Sequence, residues 1–206
     1  NTPLKEFNNI TLAEALKHPT WVMGPKISID SATMMNKGLE IIEAMHLFSF
    51  KAEQIEVMIH PQSVVHSMVC YGDGSIIAQL SQNDMKIPIS YCLGWPNRID
   101  SGVGSLNLIN QSPLDFLEVS KERYPCFFLA KNVAKEGDSF PIVMNAANEV
   151  AVEAFLNGKV KFKDIHSVIE DVIISHNKQK ISSIEDVFEI DKISRNDAMD
   201  KLKRYN

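Results

Sequence analysis

The sequence predicts an α+β protein, a mixed sheet with helices followed by a small α-helical bundle. Three observations carry that reading. Residues 63–71 and 75–80 are runs rich in β-branched side chains, joined through Gly72-Asp73-Gly74, a glycine-bearing hairpin connection. Residues 34–48 repeat apolar side chains at helical spacing. From Pro96 to about Pro113, Asn, Arg, Asp, Ser and Gly dominate, and beyond that stretch the periodicity turns helical and stays so. The expected division is a sheet-bearing domain over 1–97, a connection over 98–120 and a helical bundle over 121–206.

In chain order, Thr11 is the N-cap of a short first helix, with Glu14 placed to close a capping box and His18-Pro19 ending it. Trp21 to Pro25 reads as a loop with large apolar side chains. Lys26 to Asp30 reads as an extended run, after which Ser31 or Thr33 offers a hydroxyl to cap a helix over Met34–Phe48. On that helix Asn36, Glu40 and Glu43 share one stripe with Lys37 beside it, and Met35, Leu39, Ile42 and Met45 are among those covering the other side. Two readings of the stripe stand. It is an ordinary wet face, or Lys37 and the capping hydroxyls grip a phosphate while Glu40 supplies one oxygen ligand of a divalent cation.

Ile55 to Ile59 is strand-like and is broken by His60-Pro61-Gln62. Alternation in the next strand sets Val64, His66, Met68 and Cys70 on one face and Val65, Ser67, Val69 and Tyr71 on the other. Both faces are partly apolar, so the sheet is expected to be covered on both sides or shared with another subunit. At least one of His60 and His66 reads as a hydrogen-bonded core histidine. Met85 to Trp95 is mixed apolar structure containing Pro88. In the bundle, helices are expected over 126–135, 145–156, 162–175 and 190–205, with Gly137 and Asn157-Gly158 as stops.

A net charge of −5 argues against a nucleic-acid-binding surface. No apolar run approaches the roughly 20 residues that span a bilayer. Three widely spaced cysteines, Cys70, Cys92 and Cys126, suit reduced, buried thiols better than a disulfide framework or structural zinc. Nine glycines include no GxGxxG, so nothing cradles a dinucleotide pyrophosphate. The chain opens at Asn1-Thr2-Pro3 without Met or a signal peptide and is expected to be a piece of a longer protein.

The run HPTWVMGPKISIDSATMMNKGLEIIEA closely resembles the active-site segment of the 1-deoxy-D-xylulose 5-phosphate reductoisomerase family. MIHPQSVVHSMVCYGDGSIIAQL, DMKIPISYCLGWPNR, RYPCFFLA and NAANEVAVEAFL are similar to that family in that family's order, the likeness weakening after about residue 160. The resemblance implies the C-terminal part of the catalytic domain over 1–97 and the C-terminal helical domain over 121–206, with the NADPH-binding domain absent. It implies a metal-assisted rearrangement followed by NADPH-dependent reduction, using Mg²⁺, Mn²⁺ or Co²⁺, in a homodimer with no membrane or nucleic-acid partner. The compartment it implies is the bacterial cytoplasm, or the plastid of a eukaryote.

Residue by residue, the resemblance implies that Ser31, Asn36 and Lys37 bind substrate, Ser31 and Lys37 chiefly at its phosphate. Glu40 is implied as one of three metal carboxylates, the other two lying upstream of Asn1, and Glu43 as an outer acid. His18 and Trp21 belong to a lid, His66 to the surroundings of the reaction and Met85 to the nicotinamide side. Glu40, Lys37 and Ser31 are expected around one cavity with the Trp21 loop as its movable edge. The 206 residues alone are expected to be inactive. Two other classes fit the residues: a non-catalytic dimerisation or scaffold module, and a metal-dependent sugar-phosphate lyase or isomerase without nicotinamide.

Overall fold

The computed structural model describes residues 2–17 and 22–205. The fold is α+β, and among the described residues its sheet is one antiparallel pair of strands. The chain forms two compact units, Asn1–Glu56 with Ser120–Asn206, and Val57–Val119. The break at Ser120 falls where the helical bundle was expected to begin, whereas residues 1–56 join the late helices and no break falls near residue 97. The reason lies in helix faces: the first segment's apolar residues find their partners in the late helices, a pairing that no local composition shift announces.

In the first unit, α1 (Leu12–Ala15) has the expected capping box, with Thr11 Oγ1 accepting from the Glu14 N–H and Glu14 accepting from the Thr11 N–H. The next element corrects the sequence reading. Residues expected to be extended form a helix, α2 (Pro25–Ala32), with Gly24 as N-cap and Pro25 in its first turn, where no N–H partner is needed. The Ile-Ser-Ile alternation also satisfies a short helix. Ser28 Oγ donates back to the Gly24 carbonyl at 3.0 Å, and Lys26 pairs with Asp30 one turn on.

α2 ends where its Thr33 cap N–H reaches the Ile29 carbonyl, and Met34 then takes a left-handed conformation with φ of 57°. α3 (Met35–Phe48) follows directly. The expected N-cap is therefore corrected: Ser31 lies in the last turn of α2, and Met34 occupies the cap position with no side-chain bond. Thr33 Oγ1 still accepts weakly from the Met35 N–H at 3.3 Å while donating to the Ile29 carbonyl.

The core sits in the late helices α5 (Pro125–Glu136), α6 (Phe140–Leu156), α7 (Asp164–Ser175) and α8 (Ile184–Leu202). α6 packs against α2, α5, α7 and α8, and α3 lies on α5. Both α6 and α8 start earlier than their apolar periodicity alone suggested. Ser183 caps α8 in a box with Asp186, which makes the segment after Ser182 part of the same helix.

The second unit holds β1 (Val65–Cys70) and β2 (Ile76–Leu80), paired as expected from Cys70↔Ile76 to Val65↔Leu80. Asp73 Oδ1 accepts from the Ser75 N–H and hydroxyl, and Gly74, at φ of 88°, closes the turn onto the Tyr71 carbonyl. Those Ser75 bonds hold the Asp73 carboxyl below its usual range. The expected strand at 55–59 is reduced to one bridge, Ile59↔Leu117. The mixed stretch after Met85 is a helix, α4 (Lys86–Gly94), with Pro88 tolerated in its first turn. Part of the expected linker belongs to this unit: Asp115 is bonded to Gln62 and to the His60 ring, and Phe116 stacks on that ring.

Gly38 on α3 faces α5 so closely that an added Cβ would stand 2.3 Å from Ala130 Cβ. Gly38→Ala should therefore destabilise the protein by about 1–3 kcal/mol through overpacking. That outweighs the ~1 kcal/mol that alanine gains in helix propensity. Urea denaturation measures it, and a variant as stable as the parent would mean that α3 and α5 separate without cost.

Candidate functional site

α3 buries Met35, Gly38 and Ile41, which turns Asn36, Lys37 and Glu40 toward the helix's polar side. Asn36 Nδ2 donates to Glu40 Oε1 at 2.8 Å, and Lys37 Nζ donates to Glu40 Oε2 at 2.6 Å. Each carboxylate oxygen thus has one donor from its own helix, three or four residues back. The Lys37 and Glu40 side chains are 49% and 44% exposed, so this pair holds its geometry in a wet setting and contributes little stability. Its value is orientation: an amide, an ammonium and a carboxylate arranged within one helical turn.

Ser31 is half-buried in the last turn of α2, and Glu43 is exposed one turn beyond Glu40. The structure therefore brings Asn36, Lys37 and Glu40 together and sets Ser31 just before the left-handed turn that leads to them. His66 and Met85 belong to the second unit. His66 is exposed at the register irregularity between Val65 and Ser67, and His60, half-buried and bonded to Asp115, is the hydrogen-bonded histidine of the two. Met85 is exposed at the N-cap of α4. His18 and Trp21 lie outside the described residues.

One pair escaped the sequence reading. Asp30 and Asn148 are 1% and 0% exposed, and Asn148 Nδ2 donates to Asp30 Oδ1 at 2.9 Å. Lys26 Nζ sits against the other Asp30 oxygen as an ion pair. The signal available was a polar residue at a core position of α6, among Ala147, Ala151 and Ala154. Beside this pair the Cys126 thiol is pushed up to about 12 by burial, with the Asp30 charge adding to it. That thiol is an inert core group at neutral pH, whereas Cys70 and Cys92 are exposed, against the burial expected for all three.

A cavity of about 340 Å³ is lined by Thr33, Cys126, Arg123, Phe7, Phe162 and His166, among others, and not by Ser31, Asn36, Lys37 or Glu40. No group of three or more His, Cys, Asp or Glu side chains suited to a metal ion occurs among the described residues. A single carboxylate such as Glu40 can fill only part of a hard cation's oxygen shell of about six ligands. Both Glu40 oxygens are taken by donors, the Asn36 amide on one and the Lys37 ammonium on the other, so a cation at this carboxylate would have to share or displace them.

Comparison with known proteins gives a consistent result. A model of the DXP reductoisomerase C-terminal domain matches residues 80–197, and a model of the 1-deoxy-D-xylulose 5-phosphate reductoisomerase C-terminal domain matches residues 1–48. The 1-deoxy-D-xylulose 5-phosphate reductoisomerase of Trichlorobacter lovleyi is 52% identical over 199 residues, 97% of this chain and 51% of the relative. That of Pseudomonas aeruginosa (strain UCBPP-PA14) is 50% identical over 204 residues, 99% of this chain and 52% of the relative. The solved Zymomonas mobilis enzyme in complex with NADPH superposes with a TM-score of 0.91 at 46% identity, covering 98% of this chain and 52% of the other. A DOX-P reductoisomerase in complex with NADPH, fosmidomycin and magnesium gives 0.90 at 44% identity, with 98% and 52% covered. The chain spans about half the length of the curated relatives it matches.

Two histidines of the first unit give its stability a pH dependence. Burial lowers the pKa of His166 from 6.5 against the opposing pull of Glu170, and burial lowers that of His176, whose Nε2 meets Ser139 Oγ at 2.7 Å. A depressed folded pKa means that the unfolded chain binds more protons just below pH 6.5, so stability falls as the pH drops through that window. The bonded carboxylates, such as Asp186 and Glu14, act lower, as the pH falls below about 4. The melting temperature should therefore drop between pH 7.5 and 5.5, and His166→Gln with His176→Gln should flatten that slope. An unchanged slope in the double variant would remove burial of these rings as its cause.

Proposed function

We propose that this chain, which belongs to the 1-deoxy-D-xylulose 5-phosphate reductoisomerase family, works as the C-terminal part of such an enzyme. The reaction proposed is the rearrangement of 1-deoxy-D-xylulose 5-phosphate and its NADPH-dependent reduction to 2-C-methyl-D-erythritol 4-phosphate, an early step in non-mevalonate isoprenoid synthesis. The observation that carries the proposal is the Asn36, Lys37 and Glu40 group, preformed on one turn of α3 in a chain about half identical to named reductoisomerases.

In this reading Ser31 and Lys37 hold the substrate phosphate, far from the carbons that react. Binding energy spent there orients the reacting end. Asn36 reaches a substrate hydroxyl. Glu40 is the one metal carboxylate this chain supplies, and the remaining ligands come from outside these 206 residues. When bound, a divalent cation (Mg²⁺, Mn²⁺ or Co²⁺) supplies Lewis-acid polarisation of the substrate carbonyl. Glu43 stands outside that shell, His66 assists near the reacting carbons, and Met85 lies on the nicotinamide side. His18 and Trp21 close over the substrate and exclude water. The setting proposed is the bacterial cytoplasm; no helix among the described residues is long and apolar enough to cross a membrane.

The working form proposed is a homodimer that uses the β1–β2 sheet. Ile76 and Ile77 point to opposite faces of β2 and are 59% and 62% exposed, and Val69 and Tyr71 add to the uncovered apolar surface. Light scattering on the full-length polypeptide at micromolar concentration should give twice its chain mass. A monomer mass would overturn the dimer.

Steady-state kinetics test the site. In the full-length polypeptide Glu40→Gln should lower kcat on the order of 100-fold or more at saturating metal, with the melting temperature little changed. Lys37→Ala should chiefly raise KM for the sugar phosphate. Residues 1–206 alone should give no turnover in the same assay. Unchanged kcat in Glu40→Gln would remove it as a metal ligand.

A further inference from the structure

We propose that Asp30 and Asn148 are positioning residues for the substrate-binding group, a pin that fixes where α2 hands over to α3. The inference rests on the function proposed above and adds two residues that touch neither substrate nor metal. Asp30 precedes Ser31 directly, and its carboxylate is tied to Asn148 on α6, 118 residues away in sequence. Ile29, with Ala32 packed beside it, belongs to the same apolar core as the buried residues of α6. Apolar packing sets how near two helices lie but leaves rotation and sliding soft, because it is not directional. A hydrogen bond between a carboxylate and an amide has a fixed length and direction. It therefore sets the rotation of α2, and with it the direction of Ser31 and the start of the left-handed turn at Met34.

The energetics favour a reason other than stability. Two polar groups at 1% and 0% exposure are set among Ala147, Ala151 and Val152, where leucine and alanine would pack without desolvating anything. Replacing a buried polar pair by apolar residues of similar volume is often neutral or stabilising, whereas removing one partner strands the other. Lys26, pairing with the second Asp30 oxygen from one turn back, balances the charge within α2 itself. Among the described residues, no other buried directional bond ties α2 to the late helices across so long a sequence separation.

The test uses the full-length polypeptide, with KM for 1-deoxy-D-xylulose 5-phosphate, KM for NADPH, kcat and melting temperature measured together. The double variant Asp30→Leu with Asn148→Leu should melt within a few degrees of the parent. Its KM for the sugar phosphate should nonetheless rise about tenfold or more, with KM for NADPH unchanged, because a displaced grip weakens binding. Asp30→Asn keeps an acceptor for Asn148 and should stay within about threefold of the parent KM. A merely structural pair would lower the active fraction, and so kcat, without moving KM. If the leucine pair does not fold, Asp30→Ala with Asn148→Ala, which strands neither partner, carries the same comparison. Parent-like KM for the sugar phosphate in the folded variant overturns the positioning role and leaves the functional reading standing. No turnover by the unsubstituted polypeptide overturns that reading, and this inference with it.

Discussion

α6 has almost no side to give to solvent. Of its 17 residues, Glu153 alone is exposed, and nine are buried. Apart from the Asn145, Glu149 and Glu153 edge, α6 is apolar around its circumference, and enclosing it requires neighbours on almost every side. α7 and α8 supply two of them, α5 a third, and the early helix α2 the fourth. That demand recruits the N-terminal segment into a unit built mainly from the C-terminal helices. The small side chains of Ala146, Ala147, Ala151 and Ala154 let the neighbours approach closely. The polar residues of α6 then act as ties. Asn148 reaches Asp30 on α2, and Glu149 accepts from Arg195 on α8 at 2.6 Å. Arg195 is held there by Asp191 as well, and the two carboxylates push its pKa up.

The site inherits its geometry from this enclosure. α2 is seated on α6 and α3 on α5, so the single left-handed residue between them, Met34, has to turn the chain from one support to the next. A bulky residue in that conformation costs on the order of 1–3 kcal/mol and persists only where both flanks are fixed. They are fixed: by Ile29 and Asp30 on one side, and on the other by Met35, Ile41 and the close approach of Gly38 to Ala130. The polar stripe of Asn36, Lys37 and Glu40 is what remains facing outward once those contacts are made. A functional group carried on a helix braced in this way is placed more precisely than one carried on a loop.

How much of this was legible in the sequence follows from the range of the interactions. The Thr11 to Glu14 box and the Asp73-Gly74 turn are local, and both stand as read. The helical phase of 35–48 depends on neighbours a turn apart, and it correctly grouped Asn36, Lys37 and Glu40. Lys26 to Asp30 reads as extended because a short run with Ile-Ser-Ile alternation fits a strand as well as the helix α2 that it forms. What decides between them is burial against α6, more than 100 residues away. The Asp30 to Asn148 bond was invisible for the same reason, and so was the pairing of α3 with α5 that moves the unit boundary to Glu56. The family was legible because long runs of idiosyncratic sequence carry more information than any one contact.

The second unit follows a different physical logic. A two-stranded hairpin is marginal in water by itself and needs further strands or a packed helix against a face. Here consecutive residues Ile76 and Ile77 send apolar side chains to both faces, and both stay more than half exposed. Solvated hairpins carry polar residues on at least one face, and this one does not fully do so. The uncovered strands are also an open edge, which proteins rarely leave long and apolar without covering it. Apolar surface of this kind is explained by something that packs on it, and the homodimer proposed above supplies that covering from a second copy. On the dimer proposal the first unit is stabilised by enclosing α6 within one chain, while the hairpin would gain its covering from a second copy.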